Sequence, residues 1–179
     1  MQNGIILYKS KYGGTEKYAR KLHEITGFEL AETKKTKPED VMQYKTIILC
    51  GGIYASGIAG LSFLKKNYDK LKDKNLTIFC VGASPYDENA LEKIRAFNLK
   101  GKLKDIPLFY GRGTWDESIM TFRDRTLCRL LQKAVAKKDS ASCEPWMKAL
   151  MSASGQKCVL TDKKYLSPLI EFLNDSIKT

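Results

Sequence analysis

Three short, almost uninterrupted apolar runs constrain this chain more than any other feature: residues 4–8 "GIILY", 46–50 "TIILC" and 76–81 "LTIFCV". A strand with no polar side has no face to offer water, so it must be covered above and below. Two weaker runs accompany them, an alternating edge-like strand at 27–32 "GFELAE" and another at 106–110 "IPLFY". Between the runs the apolar spacing turns helical. Residues 14–26 place Tyr18, Ala19, Leu22 and Ile25 on one side. Pro38 opens a helical turn, residues 59–71 read as a helix, and Asp87 caps another over 87–97. Further helices are expected over 118–137 and over 163–178, the last with Pro168 in its first turn. Strand–helix alternation of this kind predicts a parallel sheet with helices on both faces. Five strands fit the order 2-1-3-4-5, a three-layer α/β/α sandwich. Residues 138–162 stand outside the alternation and read as an insertion or lid before the last helix, within one domain spanning 1–179.

In such sheets ligands sit beyond the carboxyl ends of the strands, near the switch point between the first and third. Three loops therefore matter: 9–15, 51–58 and 82–87. The first contains Ser10-Lys11-Tyr12-Gly13-Gly14-Thr15 and runs straight into a helix. Glycines let an anion approach the backbone closely, and a helix start supplies unpaired N–H groups and a positive dipole end. The loop is suited to a phosphate, with Ser10 and Thr15 as side-chain donors. It is neither a Walker A motif nor GxGxxG. A plain glycine turn capped by Thr15 is the competing reading. The second loop, "GGIYASGIAG", has Gly51, Gly52 and Gly57 for pliancy and Ile53 and Tyr54 for a flat or apolar face. The third, "GASPYDEN", brings Gly82, Ala83, Ser84 and Tyr86. Two glycine-rich loops that each carry an aromatic are able to sandwich a planar ring, an arrangement worth about 0.5–1.5 kcal/mol beyond area burial.

Composition narrows the partners. The chain has 31 basic against 20 acidic residues, a net charge of +11, which favours an acidic partner, an anionic ligand or an anionic membrane surface. No aromatic–basic interleaving points to nucleic acid. No run approaches the ~20 apolar residues of a membrane span, and the start lacks the pattern of a signal peptide. The five cysteines form no CxxC pair; Cys50 and Cys80 end apolar runs and read as buried thiols. That usage fits a reducing cytoplasm and argues against a zinc site or a disulfide framework.

"SKYGGT" resembles the phosphate loop of the flavodoxin family, T/S-x-T/S-G-x-T, at Ser10, Gly13 and Thr15, and departs from it at Tyr12, where a small hydroxyl residue is usual. The resemblance extends over about 1–137 and includes all three loops. It implies non-covalent FMN, with phosphate on 10–15 and the flavin ring between 51–57 and 82–86. It also implies a peptide in the second loop able to turn its carbonyl toward the flavin, at Gly51-Gly52 or Ser56-Gly57.

The carboxyl third sharpens the resemblance. "FRDR" in a long helix, an insertion, then "LTDKKYLSPLIEFL" look like the protoporphyrinogen oxidase branch of long-chain flavodoxins. That branch implies electron transfer from a porphyrinogen through FMN to menaquinone, with no acid/base dyad of the protein's own; the cofactor carries the electrons. Residues 118–138 hold six basic side chains against Asp124, a balance of +5. They are expected to form the last sheet-covering helix, with Met120, Leu127, Leu131 and Ala134 on its covered side and Arg125, Arg129 and Lys133 opposite. A sharper reading docks this helix and the patch at 143–153 (Trp146, Met147, Leu150, Met151) on anionic lipid, peripherally on the inner face of a cell membrane. The alternative function is an electron shuttle serving protein partners, with no small-molecule substrate. A response regulator would need acidic residues where Lys9-Ser10 and Gly51 stand, and a low-molecular-weight tyrosine phosphatase a CxxxxxR loop; neither is present. His23 is assigned an exposed or capping role.

Overall fold

The computed structural model describes residues 3–138, 143–155 and 157–175. Its elements run β1 (Gly4–Lys9), α1 (Gly14–Thr26), β2 (Glu29–Glu32), β3 (Thr46–Tyr54), β4 (Gly57–Ile58), α2 (Leu61–Leu71), β5 (Asn75–Gly82), α3 (Glu88–Asn98), β6 (Leu108–Arg112), β7 (Thr114–Asp116), α4 (Phe122–Ala136), α5 (Pro145–Ser152), β8 (Lys157–Val159) and α6 (Ser167–Asp175). The main sheet is parallel in the order β2-β1-β3-β5-β6, with the two-residue β4 added antiparallel to the end of β3. Without β4 this is the expected 2-1-3-4-5 order of a flavodoxin-like α/β fold.

Strand alternation divides the core. Ile5 and Leu7 of β1, with Ile47 and Leu49 beside them in β3, face α2 and α3 and meet Leu61, Leu64 and Leu71. Ile6, Ile48, Cys50 and Phe79 face the other way, onto Tyr18, Ala19 and Leu22 of α1 and Leu166, Leu169 and Leu173. These four strand positions are fully buried. A one-residue slip would exchange the two sets, so the register is strongly specified.

Three expectations are corrected. Gly51 and Gly52 are not in a loop: β3 continues through them to Tyr54. The strand extends because its end folds back as a hairpin whose Ala59 carbonyl passes 2.3 Å from where a Gly51 Cβ would lie, so only glycine lets the ladder go on. The strand expected at 106–110 is shifted to 108–112, after Pro107, which has no N–H to offer the ladder. The third correction concerns 118–137. The helix exists, over 122–136, but it does not cover the sheet. Its buried residues are Gln132 and Val135, while Leu127, Leu130 and Leu131 are exposed. The sheet face is completed instead by α6, whose Leu169 and Leu173 recur at helical spacing. α4 packs with α5 and β7 in a separate small core of Trp115, Val135, Met147, Leu150 and Ala153.

Residues 143–155 and 157–159 are built into this second core. β8 pairs antiparallel with β7, Trp115 opposite Cys158, and α5 buries Met147 and Leu150. Residues 139–142 and 176–178, parts of the expected insertion and last helix, lie outside the described residues. No helix among the described residues is long and apolar enough to cross a membrane.

Candidate functional site

The loop 10–13 turns β1 into α1 through a left-handed Gly13 at φ 81°, a conformation that strains any residue with a Cβ. Ser10 Oγ closes the turn by accepting the Gly13 N–H at 3.0 Å. The first intrahelical bond is donated by Lys17 to the Gly13 carbonyl, 3.0 Å. The N–H groups of Gly14, Thr15 and Glu16 therefore precede the helical ladder, with the positive end of the dipole behind them. Thr15 is buried beneath the loop.

A cavity of about 280 Å³ opens beside this helix start, at the carboxyl ends of the strands. Of the expected residues it is lined by Tyr12, Gly14, Thr15, Gly52, Ile53, Tyr54, Gly82 and Ala83. Ser10, Lys11, Gly13, Gly51, Gly57, Ser84 and Tyr86 are not in its wall. Gly51 acts beneath the wall by admitting the hairpin, and Gly57 is part of that hairpin. Tyr86 is 56% exposed and leans on Tyr110, ring centroids 6.2 Å apart. Tyr54 does reach the cavity. Its hydroxyl accepts the Lys11 N–H at 3.2 Å and its ring meets Tyr12 edge-on at 6.2 Å, so the first two loops are joined.

The hairpin between β3 and β4 is tight and strained. Ala55 and Ser56 both have positive φ, 46° and 66°, as a two-residue primed turn requires, yet neither is glycine. Asn98 holds the far side: its Nδ2 donates to the Ser56 carbonyl at 2.7 Å and its Oδ1 accepts the Ile58 N–H at 2.9 Å. The Ser56 carbonyl thus faces α3.

The other half of the wall comes from residues outside the three loops singled out in the sequence. Gly113, Thr114 and Trp115 follow β6; Met120 just before α4, Leu127, Cys128 and Leu131 of α4 and Leu150 of α5 line the opposite side. A Cβ on Gly14 would stand 3.0 Å from the Thr114 nitrogen, so β7 begins against the phosphate-type loop. The tight "GRG" before Thr114 was the available signal. What made the segment hard to read is that β7 finds its partner strand more than 40 residues later.

Charge at the mouth is concentrated in one cluster. The Asp124 carboxylate, in the first turn of α4, accepts from Lys11 Nζ and from the Tyr12 hydroxyl. The hydrogen bond from Lys11, then that from Tyr12, holds its pKa below the usual aspartate value; the same Lys11 bond raises the lysine. Thr121 donates its N–H to Tyr12 Oη at 3.3 Å. Arg125, expected on the solvent face, is turned inward, donating to the Glu117, Ser118 and Met120 carbonyls at 3.0–3.2 Å. His23 is exposed at the end of α1, its Nδ1 2.5 Å from the Phe28 carbonyl, and is not in the cavity wall.

The residues present fit a mononucleotide with a planar head. The cavity wall combines the helix start at Gly14 and Thr15 with Gly52, Gly82 and the ring of Tyr54. In the same wall Thr114 Oγ1 and Trp115 Nε1 are buried without a hydrogen-bond partner. Each such group costs about 1–3 kcal/mol when left unmade, and an acceptor in the cavity would satisfy it.

No curated protein sequence matches the chain. Among solved structures, the Trp repressor binding protein of Bacillus subtilis is 18% identical, with TM-score 0.44, over 62% of this chain and 84% of that one. A variant of Fusobacterium nucleatum flavodoxin bound to flavin mononucleotide is 14% identical, TM-score 0.37, over 60% and 68%. A flavodoxin from the domain Archaea is 15% identical, TM-score 0.40, over 73% and 92%. Likenesses this distant license no transfer of residues. The family model "Flavodoxin domain", however, matches residues 5–142, most of the chain. The chain belongs to the flavodoxin-domain family and is an FMN-binding redox protein.

Proposed function

We propose that this protein is an FMN-dependent oxidoreductase of the quinone-linked type, resembling the protoporphyrinogen oxidase branch, rather than a shuttle between proteins. One observation carries the reading: the cavity is walled on one side by apolar side chains of the carboxyl-terminal elaboration, Met120, Leu127, Cys128, Leu131 and Leu150. A shuttle needs its flavin edge open to a partner protein. A cleft walled on this side by apolar side chains suits a small flat molecule that must be held against the ring.

FMN supplies the electron-carrying chemistry when bound. The chain's own contribution is holding. The Gly14–Glu16 N–H groups and Thr15 hold the phosphate, Thr114 and Trp115 donate to oxygens of the bound molecule, Tyr54 flanks the ring, and α4 and α5 wall the opposite side with apolar side chains. We further propose that the basic outer side of α4 places the protein peripherally on an anionic membrane, where quinones are dissolved. Phe122, 82% exposed, and Leu130, 59% exposed, project there among Arg123, Arg129, Lys133 and Lys137.

The test is anaerobic mixing of the FMN-loaded protein with protoporphyrinogen, followed by a short-chain menaquinone. The expected result is bleaching of the visible flavin bands and their return on quinone addition. No bleaching with the porphyrinogen, together with ready reduction by a flavodoxin reductase, would replace this reading with the shuttle.

A further inference from the structure

The cluster at the cavity mouth has an unusual sign. A loop that holds a phosphate gains from every cation and donor near it. Here the ammonium of Lys11 and the hydroxyl of Tyr12, both in that loop, are already engaged by an anion belonging to the protein, Asp124. Asp124 lines the same cavity as Gly14 and Thr15. The two hydrogen bonds that depress its pKa keep it ionised at neutral pH. A phosphate monoester carries about −1.5 to −2 charges at pH 7, so a phosphate arriving at the helix start meets a like charge beside it.

We infer that Asp124 is an internal competitor of the cofactor's phosphate and so a determinant of how strongly the site prefers a phosphorylated flavin. The inference rests on the FMN reading above and concerns one residue's part in it. With the phosphate absent, Asp124 neutralises Lys11 and fastens the first turn of α4 to the loop through Tyr12. Thr121 adds its N–H to the same hydroxyl and caps Asp124, its Oγ1 accepting the Asp124 N–H at 3.3 Å. With the phosphate present, Lys11 is shared between two anions and the fastening weakens. Leu127, Cys128 and Leu131 follow in the same helix and line the cavity. Phosphate occupancy and the position of this helix are therefore coupled, and the coupling acts equally in both directions. Riboflavin carries the same ring without the phosphate and does not meet Asp124's charge.

The experiment measures dissociation constants of FMN and riboflavin, by quenching of flavin fluorescence, for the full chain and for Asp124→Asn. The variant is expected to tighten FMN by roughly five- to tenfold while riboflavin changes less than about twofold, the size of one partly screened like-charge contact. Asp124→Ser, which keeps a polar group in the first turn, is expected to give the same shift in the ratio and guards against a folding defect in the first variant. An unchanged FMN-to-riboflavin ratio in both variants, or weaker FMN binding with unchanged riboflavin, overturns the inference and leaves the cofactor reading standing. Failure of the wild-type chain to bind FMN overturns both.

Discussion

Asn98 donates to the Ser56 carbonyl across 2.7 Å, and this contact decides which peptides near the cavity can move. Asn98 is buried, and its amide also takes the Ile58 N–H and donates to the Ile94 carbonyl at 2.9 Å. The hairpin is thus tied to α3 on both sides of its strained turn, and the Ser56–Gly57 peptide is held with its oxygen away from the cavity. Asn98→Ala would leave the Ile58 N–H and the Ser56 carbonyl without partners. The expected loss is about 2–4 kcal/mol in urea unfolding, together with weaker FMN binding as the hairpin loosens.

Two glycines near the site answer to different physics, and alanine separates them. At Gly51 the obstacle is space, the Ala59 carbonyl at 2.3 Å. Gly51→Ala is expected to cost about 2–3 kcal/mol and to displace β4. At Gly13 nothing lies within 4 Å of the new Cβ, and the obstacle is a φ of +81°. Gly13→Ala should cost about 1–2 kcal/mol. Paired chemical denaturation curves check the order.

Trp115 carries a buried indole N–H with no partner. If an oxygen of the cofactor or substrate completes it, Trp115→Phe has opposite effects on the two states. The ligand-free protein should be unchanged or gain up to about 1 kcal/mol, while FMN binding weakens about fivefold. Thermal melts with and without FMN separate the terms. A variant that binds FMN as well as the wild type removes Trp115 from the cofactor's contacts.

Stability should fall in alkali. Burial raises the Tyr18 hydroxyl from 10.0 to about 12 and the Cys50 and Cys80 thiols from 9.0 to about 12. Between those values the unfolded chain has released protons that the folded chain still holds. Unfolding free energy therefore decreases as pH rises through roughly 9–12, and the contribution is fully present below 9. Tyr18 donates to the Arg112 carbonyl at 2.7 Å and accepts the Asp162 N–H at 3.1 Å, joining α1, β6 and the approach to α6. Tyr18→Phe should flatten the slope between pH 10 and 12 in a series of denaturant titrations, at some loss of stability at pH 7.

The membrane proposal concerns Arg123, Arg129 and Lys133 and leaves out Arg125, whose guanidinium is committed to three carbonyls. Changing the three to glutamine should abolish co-flotation with vesicles rich in phosphatidylglycerol and leave FMN binding intact. Flotation that survives the change places the contact elsewhere.

Much of the sheet was legible because its signal is local. "GIILY", "TIILC" and "LTIFCV" have no polar side, and the glycines after them mark where a ligand can approach. The span of α1, 14–26, is where the spacing of Tyr18, Ala19, Leu22 and Ile25 put it, although Ile25 is 45% exposed and only the first three are in the core. Legibility fails where a contact joins distant residues. Nothing local in "TWDES" announces that Trp115 will pair with Cys158. Nor does the spacing of Leu127 and Leu131 say whether they cover a sheet or a cavity, since both surfaces select the same side chains.

The order of apolar runs and glycine loops was therefore enough to determine a parallel sheet and the end of it at which the cavity opens. Burial demands on both faces leave few other arrangements for such strands. Tertiary structure alone decided that α6 rather than α4 covers the sheet, which frees α4 to line the cavity and brings Asp124 onto Lys11 and Tyr12, more than a hundred residues away in the chain. That choice depends on which apolar stripe fits the one remaining face better, a competition between two helices that no stretch of sequence contains by itself.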